Sequence, residues 1–207
     1  PDVEVIFRDG NQAELMKMFQ EGSVDYMISV CSEEITDVVR TEIARERVLL
    51  ALPEHHPAIA HAYQVGNEPY PHLDVRYLDR ETFIIPVTGQ SMRMTANRIF
   101  QQARIRPGRL IEIGHFDVIM SMVNIGLGIG FNRLGYIHDM QKFEHVRYFF
   151  VDHEAYRSSL ELIRRKGHVI SNCERDFLDI LVKTIQSRYG MEAVGKYKDT
   201  TDTENGQ

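Results

Sequence analysis

Two patterns of apolar residues follow one another at the start of the chain, the first with the spacing of a strand and the second with the spacing of a helix. Val3 to Arg8 alternates apolar and polar side chains, as a strand does, and turn-forming residues at 9–11 end the pattern. Gln12 to Gln20 then carries apolar residues at helical spacing and is followed by Gly22, which predicts a helix and its end. Val24 to Val30 is again apolar. This order predicts a βαβ unit, which normally crosses over right-handed within a parallel sheet.

A second unit with the same order begins near residue 83. A strand at 83–87 and a turn at 88–90 precede a helix predicted from Ser91 to Gln102, and a further strand and helix follow at 110–113 and 117–123. The glycines of Ile125–Phe131 do not have the spacing of a dinucleotide-binding motif, so they indicate close backbone packing. The other predicted elements are strands at 38–45, 48–52, 148–151 and 160–163, and a C-terminal helix at 172–189.

Two α/β units in series predict an α/β fold with two lobes. The last strands and helix need a partner, and the simplest packing returns them to the first unit. We therefore expect residues 1–82 and 155–190 to form the first lobe, 83–154 the second, and 191–207 a polar tail. The chain would cross between the lobes twice, before residue 83 and near residue 155. A ligand would bind in the cleft between them, at the carboxyl ends of parallel strands.

Composition narrows the class of protein. The 207 residues include 24 basic and 30 acidic side chains, a net charge of −6, which disfavours non-specific nucleic-acid binding by this chain alone. No apolar run approaches the ~20 residues that a membrane span needs. Cys31 and Cys173 form no CxxC pair and suit a reducing compartment, so we expect a cytoplasmic location. No zinc-binding spacing occurs and no cofactor is expected; His55, His56 and His61 fit a surface loop better than a metal cluster.

Several short motifs, in this order and spacing, resemble the effector-binding domain of LysR-type transcriptional regulators over about residues 1–186. They are Pro1-Asp2-Val3-Glu4-Val5, the spacing of Gly10, Gly22 and Asp25, the segments Glu42–Pro57 and Phe83–Arg93, and Val123–Ile129. The resemblance implies a type-2 periplasmic-binding-protein-like fold of two Rossmann-like subdomains joined by two crossovers. It also implies a first strand and helix upstream of Pro1. Further upstream it implies a winged helix-turn-helix, and only that domain would contact DNA.

The resemblance further implies a small-molecule effector and a homodimer or homotetramer. Family dimers pair helices from the two lobes, and the helices at 12–20 and 91–102 have apolar surface for that purpose, although both could equally cover the core. The family usually has proline where this chain has Arg133. A basic residue there could meet an anionic effector or could point outward.

Polar residues at the ends of strands are the expected ligand contacts. Ser91 opens a helix, whose N–H groups and partial positive charge attract a carboxylate or phosphate, but it could be an ordinary N-cap. Asn11 could likewise be a contact or a cap, Ser29 could satisfy backbone groups, and His115 could be solvated. The full set of expected contacts is Asn11, Gln12, Ser29, Gly89, Gln90, Ser91, His115, Asn132 and Arg133.

Three classes of function compete at this point. An enzyme is disfavoured because no nucleophile motif such as GxSxG occurs. A secreted solute-binding protein of the same fold, delivering a ligand to a transporter, is the alternative to a regulator's effector domain. The polar candidates, Arg133 and the helix N-terminus favour a small anion, such as an organic or amino acid, as the ligand.

Overall fold

The computed structural model describes residues 3–30, 35–139, 143–151, 157–188 and 191–194. Within these ranges the chain forms two main sheets, each covered by helices. Cys31, Pro1 and Asp2 lie outside the described residues, as do Tyr189, the predicted crossover at residue 155 and the tail from 195 onward.

The first sheet has the strand order β1-β9-β2-β10 and is antiparallel throughout. Alternate residues of β2 and β9 face opposite sides, so Leu162 packs against the C-terminal helix while Ile163 packs against Phe19 of the first helix. The elements of this lobe are α1 (Gln12–Gln20), β1 (Tyr26–Ser29), β2 (Val38–Glu46), β9 (Ser158–Arg165), α5 (Asn172–Arg188) and β10 (Glu192–Ala193).

The second sheet has the order β4-β8-β3-β7, and a parallel pair β5-β6 joins it beside β7. The junction is made by Ile129, whose backbone N–H donates to the Thr82 carbonyl and whose carbonyl accepts from Ile84. The strands are β3 (Val48–Pro53), β4 (His72–Leu73), β5 (Thr82–Pro86), β6 (Arg109–Ile113), β7 (Gly130–Arg133) and β8 (Val146–Val151), and the helices are α2 (Ser91–Ala103), α3 (Phe116–Asn124) and the short α4 (Leu134–Asp139).

The sheets divide the chain differently from the predicted lobe boundary at residues 82 and 83. β3 and β4 precede that boundary, yet β3 pairs with β7 and β8, and β4 pairs with β8. The first crossover is therefore Arg47, the single residue between β2 and β3, and the return crossover lies between β8 and β9. The buried run of β3 predicts a central strand, but its pattern does not say which sheet supplies its hydrogen-bonding partners.

The first predicted βαβ unit differs from the structure. Residues 3–8 form no strand, because within the described residues no neighbouring strand pairs with them, and Phe7 remains 73% exposed. Strand β1 instead pairs antiparallel with β9. At the other end of the chain, the predicted polar tail begins with β10, which pairs with β2.

The glycine-rich segment before β7 packs closely, as predicted. A Cβ atom on Gly128 would lie 2.8 Å from the Thr82 carbonyl oxygen, and one on Gly130 would lie 2.9 Å from the Met120 side chain. These glycines allow the segment to pass between β5 and α3. The approach brings the end of β7, and with it Asn132 and Arg133, beside the start of α2.

Candidate functional site

The N-terminus of α2 lies at the end of β5, after a turn that Gly89 makes possible with φ +93°. Gln90 is the N-cap residue, but its side chain makes no capping hydrogen bond. Its Nε2 instead donates to the Gly114 carbonyl at 2.9 Å, which ties the turn to the end of β6. The partial positive charge of the helix start is therefore not offset by a side-chain cap.

Arg133 reaches this helix start from the last position of β7. Its Nη2 donates to Ser91 Oγ at 3.0 Å, and the residue is only 4% exposed. The structure thus joins two residues that the sequence proposed separately, 42 positions apart. Arg133 therefore points inward, which excludes the outward direction that the sequence left open for it.

The counter-ion of Arg133 is Glu46, the last residue of β2. Arg133 Nη1 donates to Glu46 Oε2 at 3.3 Å, and the Gly135 backbone N–H donates to Glu46 Oε1 at 3.3 Å. Burial raises the pKa of Glu46, while the Arg133 charge opposes that increase. Because β2 and β7 belong to different sheets, this buried ion pair spans the seam between the lobes.

Part of the hydrogen-bonding capacity of Arg133 is unused. Its Nε is buried and has no partner among the described residues. A guanidinium can donate five hydrogen bonds in a planar fork, and a buried donor left unpaired is costly. With the α2 N-terminus beside it, the arrangement offers positive charge and hydrogen-bond donors of the kind that bind anions in proteins.

Asn132 supports the site from inside the lobe. It is fully buried, and its Oδ1 accepts from the Arg133 backbone N–H at 2.7 Å. Burial also raises the pKa of Tyr148, and a hydrogen bond with Asn132 acts in the opposite direction. These contacts assign Asn132 to holding β7 and its neighbours in place.

The remaining predicted contacts lie apart from this cluster in the interactions that the structure describes. Asn11 Oδ1 accepts from the Glu14 N–H while Glu14 Oε2 accepts from the Asn11 N–H, each at 3.0 Å, so the pair is a capping box for α1. Gln12 is buried in the first turn of the same helix. Ser29 is half-buried opposite Glu161, and His115 is an exposed N-cap of α3.

Glu46 is not among the site residues that the sequence predicts. The available signal was a pair of opposite charges, Glu46 and Arg133, each bordering a run of apolar residues that predicts a buried strand. Buried charges are normally paired, so two such residues predict each other as partners. The separation of 87 positions gives no local pattern from which the pairing can be read.

The other candidate features have structural roles. His61 stacks on Tyr77 with ring centroids 4.0 Å apart, and the His56 side chain caps the 3₁₀ helix at Pro57–His61. Within the described residues no group of three metal-ligating side chains occurs. A helix with the length and apolarity of a membrane span is likewise not found in that part of the chain.

Two α/β lobes joined by two crossovers form a two-lobed fold of the periplasmic-binding-protein type, with a buried polar cluster at the seam between the lobes. The sequence profile of the LysR substrate binding domain matches residues 1–186, so the chain belongs to this family.

Relatives agree with this assignment. The chain is 26% identical over 130 residues to the HTH-type transcriptional regulator CfxR of Cupriavidus necator, covering 62% of this chain and 38% of CfxR. The CcmR regulatory domain of Synechocystis PCC6803, solved in complex with 2-PG, superimposes with a TM-score of 0.69 at 17% identity, covering 86% of this chain and 81% of that one. The BenM effector binding domain with its effector benzoate gives 0.68 at 17% identity, covering 87% and 78%. The part of the chain that matches CfxR therefore spans well under half the length of that protein.

Proposed function

We propose that this chain is the effector-sensing domain of a bacterial LysR-type transcriptional regulator and that it binds a small acid between its lobes. The observation that carries the proposal is the buried Arg133, with an unpartnered Nε, beside the N-terminus of α2 at the seam. The structures of CcmR with 2-PG and BenM with benzoate support a small ligand in this fold. Gln90, Ser91 and Arg133 are the contacts we propose, with Gly89 shaping the turn.

Signalling would follow from a difference in affinity between two lobe arrangements. A ligand can shift such an equilibrium only by that difference, typically ~1–3 kcal/mol. In the full-length protein the shift would reposition N-terminal winged helix-turn-helix domains on DNA through a homodimer or homotetramer. We expect no catalysis, because the cluster at the seam pairs no nucleophile with a base.

The two helices predicted for the dimer interface differ in how much apolar surface they leave exposed. Most apolar residues of α2 are buried in the core of its own lobe, among them Met92, Ile99 and Phe100, while Met94 is half-buried. α1 buries Phe19 but leaves Leu15 and Met16 half-buried. Of the two, α1 retains more apolar surface for a partner subunit.

Thermal unfolding with a matched acid and amide tests the proposed ligand class. Benzoate, used as a probe, should raise the Tm while benzamide, which lacks the charge, should not. At a hundredfold excess over Kd the stabilisation is about 2.7 kcal/mol, which raises the Tm by about 5–10 °C for a chain of this size. If the probe is not bound, a wider panel of small acids and their amides takes its place.

Arg133→Gln should remove the response to the acid, and Arg109→Gln, at an exposed position on β6, should retain it. Stabilisation by neutral or cationic compounds only would contradict the proposal.

A further inference from the structure

The contacts of Glu46 lie at the first crossover between the lobes. Only Arg47 separates β2 from β3, and the Arg47 carbonyl accepts from the Leu134 N–H at 3.2 Å. Glu46 accepts from the next backbone N–H, that of Gly135, and from Arg133. The carboxylate of the first lobe is thus bound to the end of β7 and the start of α4 in the second.

These contacts are long. Both bonds to Glu46 measure 3.3 Å, beyond the usual range of 2.7–3.2 Å for N–H···O bonds. An ion pair that is removed from water repays its desolvation only when its geometry is good and its remaining donors are satisfied. Glu46 leaves Arg133 Nε without a partner among the described residues, so an acid that accepts from that atom as well can compete with Glu46.

Helix α2 connects this cluster to the second crossover. Ser91, Thr95 and Arg98 recur at i, i+4 and i+7 and share one face of the helix. Thr95 Oγ1 lies 3.4 Å from Ser158 Oγ at the start of β9, and Arg98 Nη2 donates to the Arg157 carbonyl at 3.0 Å. The chain at the start of β9 therefore contacts the helix whose N-terminus receives Arg133, and the first crossover is linked to the same helix through Glu46 and Arg133.

We propose that Glu46 is an internal counter-ion of Arg133 and holds the lobes in one arrangement. An acidic effector displaces Glu46 from Arg133 when it binds. This inference rests on the proposed acid site and adds how binding of an acid at that site changes the contact between the lobes. An effector carboxylate beside Ser91 accepts hydrogen bonds from Arg133, and the bond from Arg133 to Glu46 breaks. The end of β2 then keeps only its backbone hydrogen bonds from Leu134 and Gly135 to the second lobe, so the two lobes are held together less firmly. The exchange replaces one carboxylate by another, so the guanidinium stays charged and paired.

Hydrogen exchange without any ligand tests the interlobe contact by itself. Glu46→Gln should speed exchange of the Leu134 and Gly135 amides at least about fivefold, the lower end of ordinary coupling between sites. Glu42→Gln is the matched control, since Glu42 lies on the same strand but bonds Arg45 and Ser159 within the first lobe. Unchanged exchange at these amides in Glu46→Gln would overturn the contact's role.

Titration with benzoate as the probe tests the competition. Glu46→Gln leaves Arg133 without a counter-ion, so it should bind benzoate between about 5-fold and 150-fold more tightly than the unmodified domain. Glu42→Gln should bind as the unmodified domain does. Equal or weaker binding by Glu46→Gln, when the unmodified domain binds benzoate at the seam, would overturn displacement.

The two proposals fail differently. If neither benzoate nor any other small acid binds the unmodified domain, the proposed function fails, and the exchange measurement still judges the interlobe contact. If Glu46→Gln does not fold, Glu46→Asp keeps the charge but withdraws the carboxylate by one methylene. It should give the same two changes at smaller size, and an Asp variant that matches the unmodified domain in both would contradict the inference.

Discussion

Arg133 is a charged residue in a strand whose four residues are all buried. A buried ion pair is weak support for stability, because apolar residues of similar volume often replace it at no cost. The pair with Glu46 is therefore better explained by binding than by folding. Asn132, adjacent in sequence and also buried, has its oxygen on the Arg133 backbone, and this contact fixes the strand rather than a ligand.

Replacing both members of the pair separates stability from binding. The double substitution Glu46→Leu with Arg133→Met should leave the free energy of unfolding unchanged or raise it by ~1–4 kcal/mol, whereas Arg133→Met alone should lower it by ~3–5 kcal/mol. Urea denaturation measures both. Retained stabilisation by small acids in the double variant would contradict the role of Arg133 in binding.

Among the elements, the segment entering β7 depends on close backbone approach. Gly128→Ala would place its Cβ against the backbone of Thr82, which cannot move without disturbing β5, so we expect a loss of ~1–3 kcal/mol. Gly114→Ala has nothing within 4 Å of the new Cβ and is the matched control. Chemical denaturation should separate the two variants, and equal midpoints would show that the segment is not tightly held.

Helix α5 begins with a capping box of Ser171 and Glu174, and Tyr26 and His168 also contact the Glu174 carboxylate. Burial acts to raise the pKa of Glu174, but hydrogen bonds from Ser171, His168 and Tyr26 outweigh it and lower the pKa from 4.5 to about 2. The stabilisation is complete above pH 4.5 and is lost as the pH falls towards 2.

Glu174→Gln should therefore destabilise the domain most at neutral pH, and the difference from the unmodified domain should shrink between pH 4.5 and about 2. Urea denaturation across this range measures the difference. Asp179→Asn, at an exposed position of the same helix, is the matched control for the loss of one acidic side chain. A pH-independent difference for Glu174→Gln would mean that the ionised carboxylate is not what stabilises the helix start.

The C-terminal helix also shows where local patterns mislead. The spacing of its apolar residues predicts a buried stripe made of Phe177, Leu178, Ile180, Leu181 and Ile185. Ile180 is instead 66% exposed, because two residues along a helix turn it about 200° away from Leu178. Val182, one turn after Leu178, is buried in its place.

At the scale of the molecule, the sequence predicts most of the elements and the two-lobed plan. The central elements β5, α2, β6 and α3 have clear periodicity and are separated by turn-forming residues, so their order can be predicted from the sequence. Strand partners come from distant segments, and nothing near β3 in the sequence indicates β7 and β8. The same holds for the site. Ser91 can be predicted from the local pattern of a helix start, whereas the role of Glu46 is visible only in the folded structure.

A titration of the ¹⁵N-labelled domain with small acids, followed by NMR, shows directly whether the acid binds at Arg133. Binding at the seam should produce the largest shift changes at the amides of Ser91, Met92 and Gly135, on both sides of the Arg133 side chain. An acid that binds with its shift changes confined elsewhere, for example to an open cavity of about 440 Å³ beside Phe19 and Arg165 in the first lobe, would contradict binding at the seam.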